Sequence, residues 1–175
     1  MTSGTPDRTA AYRSIETRLK HDGPVDAGAF IDLAWEALSP VGVSWIGFYR
    51  RDADSDQLLL EQCRDRPACS PIGLHGVCGQ ALRHRRTRIV RDVAELGEDY
   101  VACDPRDRAE IVIPLGPSAP DAEVAEVADR VLDLDSFDLD AFSDVDDRRL
   151  RAILDLAGFH PIEIGPPLRS IPAGD

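Results

Sequence analysis

The chain has 175 residues, with 43% hydrophobic and 30% charged residues, which is typical of a single folded domain of ordinary size. Its formal net charge of −12 makes nucleic acid and anionic membrane surfaces unfavourable partners. Apolar runs such as residues 41–49 are too short to cross a bilayer, and the N-terminus lacks the apolar stretch of a signal peptide, so we expect a cytoplasmic protein.

The first 62 residues show two helical patterns followed by two strand patterns. Apolar residues at helical spacing predict a helix over 5–21 and a second that begins at Asp26 and is stopped by Pro40. Residues 41–49 and 57–62 are strand-like and are separated by a polar turn, which predicts a hairpin.

The middle of the chain is punctuated by glycines and ends in a long irregular stretch. Residues 77–84 read as a short helix opened by Gly76, and residues 87–90 as a short strand. Residues 91–108 have no regular pattern, and a loop of that length inside a compact domain is usually functional.

The last third of the chain predicts two strands, at 110–115 and 131–135, and a closing helix over 143–157. Val145, Leu150, Ile153 and Leu154 are expected on the inward face of that helix. The order of elements favours an α+β fold, an antiparallel sheet with helices mainly on one face. We expect one domain over residues 1–160 and a Pro-rich C-terminal tail over 161–175.

The four cysteines, Cys63, Cys69, Cys78 and Cys103, lie within about a quarter of the chain. In a cytoplasmic protein such clustering indicates thiol chemistry or a metal site more than structural disulfides. No two of them have the spacing of two to four residues that zinc sites usually use, so we expect no metal. Buried cysteine acting as a small hydrophobic residue is the alternative.

Three segments contain most of the residues of chemical interest: SWIGFY (44–49), PACSPIGLHGVCG (67–79) and YVACDPRDRAEIVIPL (100–115). VLDLDS (131–136) follows them. Together these segments resemble the free methionine-(R)-sulfoxide reductases, a branch of the GAF-domain proteins. The resemblance runs in order over roughly residues 26–157. Three cysteines match the family pattern, Cys69 and Cys78 in the second segment and Cys103 in the third.

The resemblance implies a GAF-like fold and a catalytic cycle based on thiols. A thiolate attacks the sulfoxide sulfur, methionine leaves, and a second cysteine captures the sulfenic acid as a disulfide that thioredoxin reduces. By family position Cys103 is the nucleophile, Cys69 the resolving thiol and Cys78 an accessory thiol, with no metal or organic cofactor. The N-terminus of the helix at Cys78 and the arginines after Cys103, Arg106 and Arg108, are expected to favour the thiolates. Cys63 has no counterpart in the family and is interpreted as structural.

Three acidic residues are candidates for binding the ammonium group of a free amino acid, because a buried cation needs carboxylates. Asp133 and Asp135 are two apart on a strand and share one face, and Glu110 begins the strand after the Cys103 loop. All three match family positions associated with the substrate, and one of them in its protonated form is suited to donate to the sulfoxide oxygen. Trp45 and Tyr49 share a face of the first strand, and by resemblance they form the wall around the methyl sulfoxide.

The chain departs from the family pattern in two segments. Residues 106–109 are bulkier and more charged than is usual, and the connection over 116–130 is longer and rich in proline and acidic residues. Two other functions stay open: a non-catalytic GAF module that binds a small ligand or senses oxidants through its cysteines, and a domain stabilised by zinc. Homodimerisation through the terminal helices is an expectation from the family.

Overall fold

The computed structural model describes residues 7–65, 68–100, 103–117, 128–162 and 164–169. Four α-helices are present in this part of the chain: α1 (Thr9–Asp22), α2 (Ala27–Leu38), α3 (Val77–His84) and α4 (Asp144–Leu156). Short 3-10 helices cover Ser39–Val41 and Val93–Asp99. Among the described residues, no helix combines the length and the apolar composition that a membrane crossing requires.

One sheet of seven strands organises the described chain, in the order β3-β2-β1-β6-β5-β4-β7. Neighbouring strands are antiparallel except β4 and β7, which are parallel. The strands are β1 (Trp45–Arg51), β2 (Gln57–Arg64), β3 (Ile72–Gly73), β4 (Arg88–Val90), β5 (Ala109–Leu115), β6 (Arg130–Ser136) and β7 (Leu168–Arg169).

The two faces of the sheet pack against different helices. Residues of α1, α2 and α4 form the main core with one face, where Ile46, Phe48 and Leu134 are fully buried. The opposite face packs against α3 in a smaller core that includes Tyr49 and Val112. The predicted α+β fold with helices mainly on one face is confirmed, and the face that holds only α3 leaves room for a cavity.

The helix predictions hold in their main features, with identifiable caps. Asp26 caps α2 by accepting a hydrogen bond from the Ala29 amide at 2.9 Å. Ser143 begins α4 with a reciprocal capping pair to Asp146, whose carboxylate accepts from the Ser143 amide at 2.9 Å. The inward placement of Val145 is wrong, because this residue in the first turn of α4 is 48% exposed.

The strand predictions miss the edges of the sheet. The strand expected from residue 41 begins at Trp45, because Ser39–Val41 form a 3-10 helix that continues from α2. The two-residue strands β3 and β7 were not predicted. β7 lies within the segment interpreted as a C-terminal tail, and it pairs with β4 through Arg88 and Leu168. The domain boundary at residue 160 stays a prediction, and residues 1–6, 118–127 and 170–175 lie outside the described part of the chain.

A buried polar network joins α4 to the strand edge near β7. Arg151 Nε donates to Asp147 Oδ1 at 2.8 Å, and Thr87 Oγ1 donates to the same oxygen at 2.6 Å. Arg151 Nη1 donates to the Ile162 carbonyl at 2.6 Å. The buried charge of Asp147 is therefore compensated, and the chain after α4 is fixed against the sheet.

Candidate active site

Strand register brings the predicted substrate residues onto one face of the sheet. Asp135 on β6 pairs with Trp45 on β1 and, on its other side, with Glu110 on β5. Asp133 lies two residues along the same strand, opposite Gly47. Residues directly opposite in antiparallel strands share a face, so these side chains all lie on the face covered by α3.

A cavity of about 540 Å³ lies between this face, α3 and the loop that contains Cys103. Every residue predicted for the site lines it except Cys69, which lies beside it and is bonded to Cys103. The side chains that line the cavity and are discussed below are Ser44, Trp45, Tyr49, Cys78, Cys103, Asp104, Arg106, Asp107, Glu110, Asp133, Asp135 and Phe137.

Cys69 and Cys103 form a disulfide at the mouth of the cavity, with their Cα atoms 5.7 Å apart. The Cys69 amide also donates to Cys103 Sγ at 3.4 Å, and the Tyr49 hydroxyl donates to the Cys69 carbonyl at 2.9 Å. Cys103 is exposed and Cys69 is half-buried. Both cysteines lie in loops, so a thiol pair at this place is accessible to small molecules and to a protein reductant.

Cys78 lies deeper, on the first turn of α3, and its side chain faces two of the predicted carboxylates. Its thiol donates to Asp133 Oδ2 at 3.4 Å, and the residue is only 5% exposed. Burial, together with the nearby Asp133 and Glu110, raises the pKa of the Cys78 thiol well above its usual value. The prediction that the helix N-terminus stabilises a Cys78 thiolate is therefore wrong, since burial and the adjacent carboxyl groups favour the protonated thiol.

The three predicted carboxyl groups lie close together, with Glu110 and Asp133 buried and Asp135 half-buried, and all three hold their protons more tightly than usual. Burial raises the pKa of Glu110, Asp133 and Asp135, and their mutual repulsion raises the values for Glu110 and Asp135 further. Asp133 Oδ1 is buried and has no hydrogen-bond partner among the described residues. A cationic group that enters this part of the cavity would gain from carboxylate charge that the described residues do not neutralise.

An aromatic wall stands beside the carboxylates. The rings of Trp45 and Tyr49 lie with centroids 6.0 Å apart, on the same face of β1 as expected. The indole of Trp45 folds over Gly47, where a Cβ atom would overlap the ring. Glycine at this position therefore allows the indole to lie flat beside the site, where it is suited to contact a sulfur-containing group.

The Cys103 loop contributes an acidic residue that the sequence did not single out. Asp107 is 6% exposed, lines the cavity and accepts a hydrogen bond from Ser44 Oγ at 3.2 Å. Burial raises the pKa of Asp107 to about 6. The only signal in the sequence was the unusual charge of residues 106–109, which indicated a departure from the family without showing which residue turns inward.

Arg106 and Phe137 face each other at the mouth of the cavity. The Arg106 guanidinium lies 4.5 Å from the centroid of the Phe137 ring and pairs with Asp104 at 2.6 Å. Arg106 is the one basic side chain among the described residues that line the cavity. Arg108 pairs instead with Asp92 at 3.2 Å. Both guanidinium groups expected to favour the Cys103 thiolate are thus partnered by carboxylates.

Comparison with known proteins first defines the class of fold. No family model matches the chain. A putative GAF sensor protein from Burkholderia vietnamiensis has a similar structure, with a TM-score of 0.71 and 28% identity over 86% of this chain and 93% of that one. The fold is therefore that of a GAF domain, here with a disulfide and a carboxylate cluster at its cavity.

Two further comparisons define the family. A free methionine-R-sulfoxide reductase from Neisseria meningitidis, solved in complex with its substrate, has a TM-score of 0.70 and 30% identity over 90% of this chain and 92% of that one. The free methionine-R-sulfoxide reductase of Saccharomyces cerevisiae is 32% identical over 133 residues, 75% of this chain and 69% of the yeast protein. The chain belongs to the free methionine-R-sulfoxide reductase family, a group of GAF-fold oxidoreductases.

Proposed function

We propose that this protein reduces free methionine-(R)-sulfoxide to methionine through Cys103 and Cys69. The observation that supports this most directly is the disulfide between these residues at the mouth of a cavity with a carboxylate floor and an aromatic wall. The thiol pair of Cys103 and Cys69 supplies the electrons, and the cavity matches the charge and the sulfur of the substrate.

The reaction balances in three steps. The Cys103 thiol takes the sulfoxide oxygen, which yields a sulfenic acid and methionine. The Cys69 thiol then attacks the sulfenic sulfur and releases water, and this forms the Cys69–Cys103 disulfide. Thioredoxin reduces that disulfide by two electrons and two protons through thiol–disulfide exchange and is itself oxidised. The cycle needs no metal or organic cofactor.

Different side chains of the cavity bind different groups of the substrate. Glu110, Asp133 and Asp135 receive the ammonium group, and one of them that keeps its proton donates it to the sulfoxide oxygen as the S–O bond breaks. Trp45 and Tyr49 contact the methyl sulfoxide. Arg106 is the basic side chain at the mouth of the cavity and receives the substrate carboxylate.

The remaining assignments are part of the same proposal. Cys78 is an accessory thiol, because its burial and its raised pKa make it a poor first nucleophile. We place the reaction in the cytoplasm, where thioredoxin is the reductant, and we propose that the protein pairs as a homodimer through its terminal helices. Neither nucleic acid nor a membrane is a partner.

A GAF module that senses oxidants is the second candidate, and the similarity to a putative GAF sensor protein favours it. Such a module would form the same disulfide with peroxide and release no methionine. Release of methionine therefore distinguishes the two functions, whereas formation of the disulfide does not.

The test is methionine release from free methionine-(R,S)-sulfoxide with thioredoxin, thioredoxin reductase and NADPH. Wild type is expected to consume only the R epimer, Cys103→Ser to lose turnover, and Cys69→Ser to turn over slowly. Cys63→Ser is the matched control, because Cys63 lies outside the disulfide and does not line the cavity, and it is expected to retain activity. No turnover by folded, reduced wild type would favour the sensor.

A further inference from the structure

The deepest part of the cavity contains three ligand-type side chains from three different elements. Cys78 on α3, Glu110 on β5 and Asp133 on β6 are 5%, 6% and 7% exposed. Each offers one ligand atom, and these three atoms lie within 4.8 Å of one another. A sulfur and two oxygens converging at one buried point are a donor set that borderline-soft divalent cations accept.

The spacing of the donor atoms fits such an ion. Zinc bonds of about 2.3 Å to sulfur and about 2.0 Å to oxygen at the tetrahedral angle separate the two donor atoms by about 3.5 Å. The distance from Cys78 Sγ to Asp133 Oδ2 is 3.4 Å. The third donor, from Glu110, is within 4.8 Å and completes three protein ligands after a small movement of its side chain.

The charge around this point is also unbalanced. Asp133 Oδ1 is buried and has no hydrogen-bond partner among the described residues. Asp135 and Asp107 add two further acidic groups from the neighbouring strand and loop, while Arg88 is the basic side chain that acts on Glu110. A divalent cation would offset more of this charge than a single ammonium group can.

We propose that Cys78, Glu110 and Asp133 form a binding site for a thiophilic divalent cation of the Zn²⁺ class, with the fourth coordination position open to the cavity. On binding, the Cys78 thiol loses its proton to solvent, because a coordinating thiol is deprotonated by the ion. The ligands are far apart in sequence and come from three elements, so the spacing of the cysteines could not indicate this site.

The site overlaps the carboxylates assigned above to the substrate ammonium group. The cation is therefore a competitor of the substrate and not a resident cofactor, and it acts as a reversible inhibitor. This consequence rests on the proposed function, whereas binding of the metal does not.

The experiment is a Co²⁺ titration of the oxidised protein, in which the Cys69–Cys103 disulfide removes those two sulfurs as ligands. We expect one equivalent to bind with a thiolate-to-cobalt charge-transfer band in the near ultraviolet, and Zn²⁺ to displace it. Cys78→Ser should abolish the band, and the matched variant Cys63→Ser should retain it.

A second variant keeps the test valid if Cys78→Ser fails to fold. Asp133→Asn should retain the band but weaken Co²⁺ binding by at least about tenfold, since even the loss of a residue supporting a ligand costs about 10- to 100-fold. A band that persists in folded Cys78→Ser, disappears in Cys63→Ser, or is absent from wild type would overturn the proposal. Free methionine sulfoxide should compete with Co²⁺, and its failure to do so would refute only the overlap with the substrate.

Discussion

Asp107 provides a prediction whose size can be worked out from its surroundings. This carboxyl is 6% exposed and its pKa is raised by burial from 3.8 to about 6. Because the folded state holds the proton more tightly than the unfolded state, its contribution to stability is fully present below about pH 3.8 and is lost as the pH rises through about 6. Relative to that limit, the linkage relation gives a loss of about 1.6 kcal/mol at pH 5 and about 3 kcal/mol at pH 8.

The perturbation is Asp107→Asn, which removes the charge and keeps an oxygen that can accept from Ser44 Oγ. The free energy of unfolding of the variant relative to wild type should rise by about 1.4 kcal/mol between pH 5 and pH 8. Asp107 also raises the pKa of Glu110 and Asp135, so relief of their repulsion acts in the same direction.

The assay is urea unfolding followed by tryptophan fluorescence at both pH values, with the disulfide intact. Asp138→Asn is the matched control, because Asp138 is an exposed acid on the turn after β6. The effect of this substitution on the free energy of unfolding should differ by less than about 0.5 kcal/mol between pH 5 and pH 8. If the free energies of unfolding of Asp107→Asn and wild type differ by the same amount at pH 5 and pH 8, the raised pKa of the buried Asp107 carboxyl is refuted.

Two further predictions concern arginines with different environments. Arg106→Ala should raise KM about tenfold with little change in kcat, because a charge-assisted bond to the substrate carboxylate is lost, whereas Arg108→Ala should leave KM within about twofold. A similar rise in KM for both variants would contradict the assignment. Arg151→Ala should lower the free energy of unfolding by about 3–5 kcal/mol, since it leaves the buried Asp147 carboxylate without its cation. Arg169→Ala is the control, because Arg169 forms an exposed ion pair with Asp144, and it should lower the free energy of unfolding by less than about 1 kcal/mol. Equal losses for Arg151→Ala and Arg169→Ala in urea unfolding would refute the stabilising role of the buried network.

Local patterns in the sequence were sufficient for most of the fold. The helix start at Asp26, the helix after Gly76 and the shared face of Asp133 and Asp135 on β6 each depend on neighbouring residues, and each is present in the structure. The two-residue strands β3 and β7 were missed because their pairing with β2 and β4 depends on contacts between distant segments.

The same distinction between local patterns and contacts of distant segments applies to the candidate site. The alternation of β6 placed Asp133 and Asp135 on one face, and the motif resemblance brought Glu110 into the same group, as the strand register does. The inward turn of Asp107 and the raised pKa of Cys78 depend on burial by other elements, which a sequence pattern does not express. The position of Cys78 at a helix N-terminus predicted a thiolate. The sequence pattern did not show that the carboxyl groups of Glu110 on β5 and Asp133 on β6 lie beside this thiol.

In the proposed cycle the substrate itself oxidises Cys103, and Cys69 captures the resulting sulfenic acid. The most direct test mixes fully reduced protein with free methionine-(R)-sulfoxide in the absence of any reductant, then measures methionine and maps the disulfides by mass spectrometry. The proposed cycle predicts one methionine per chain together with a Cys69–Cys103 disulfide, and in Cys69→Ser a Cys103 sulfenic acid that dimedone traps. Methionine formed in Cys103→Ser, or a disulfide formed in wild type without methionine, would contradict it.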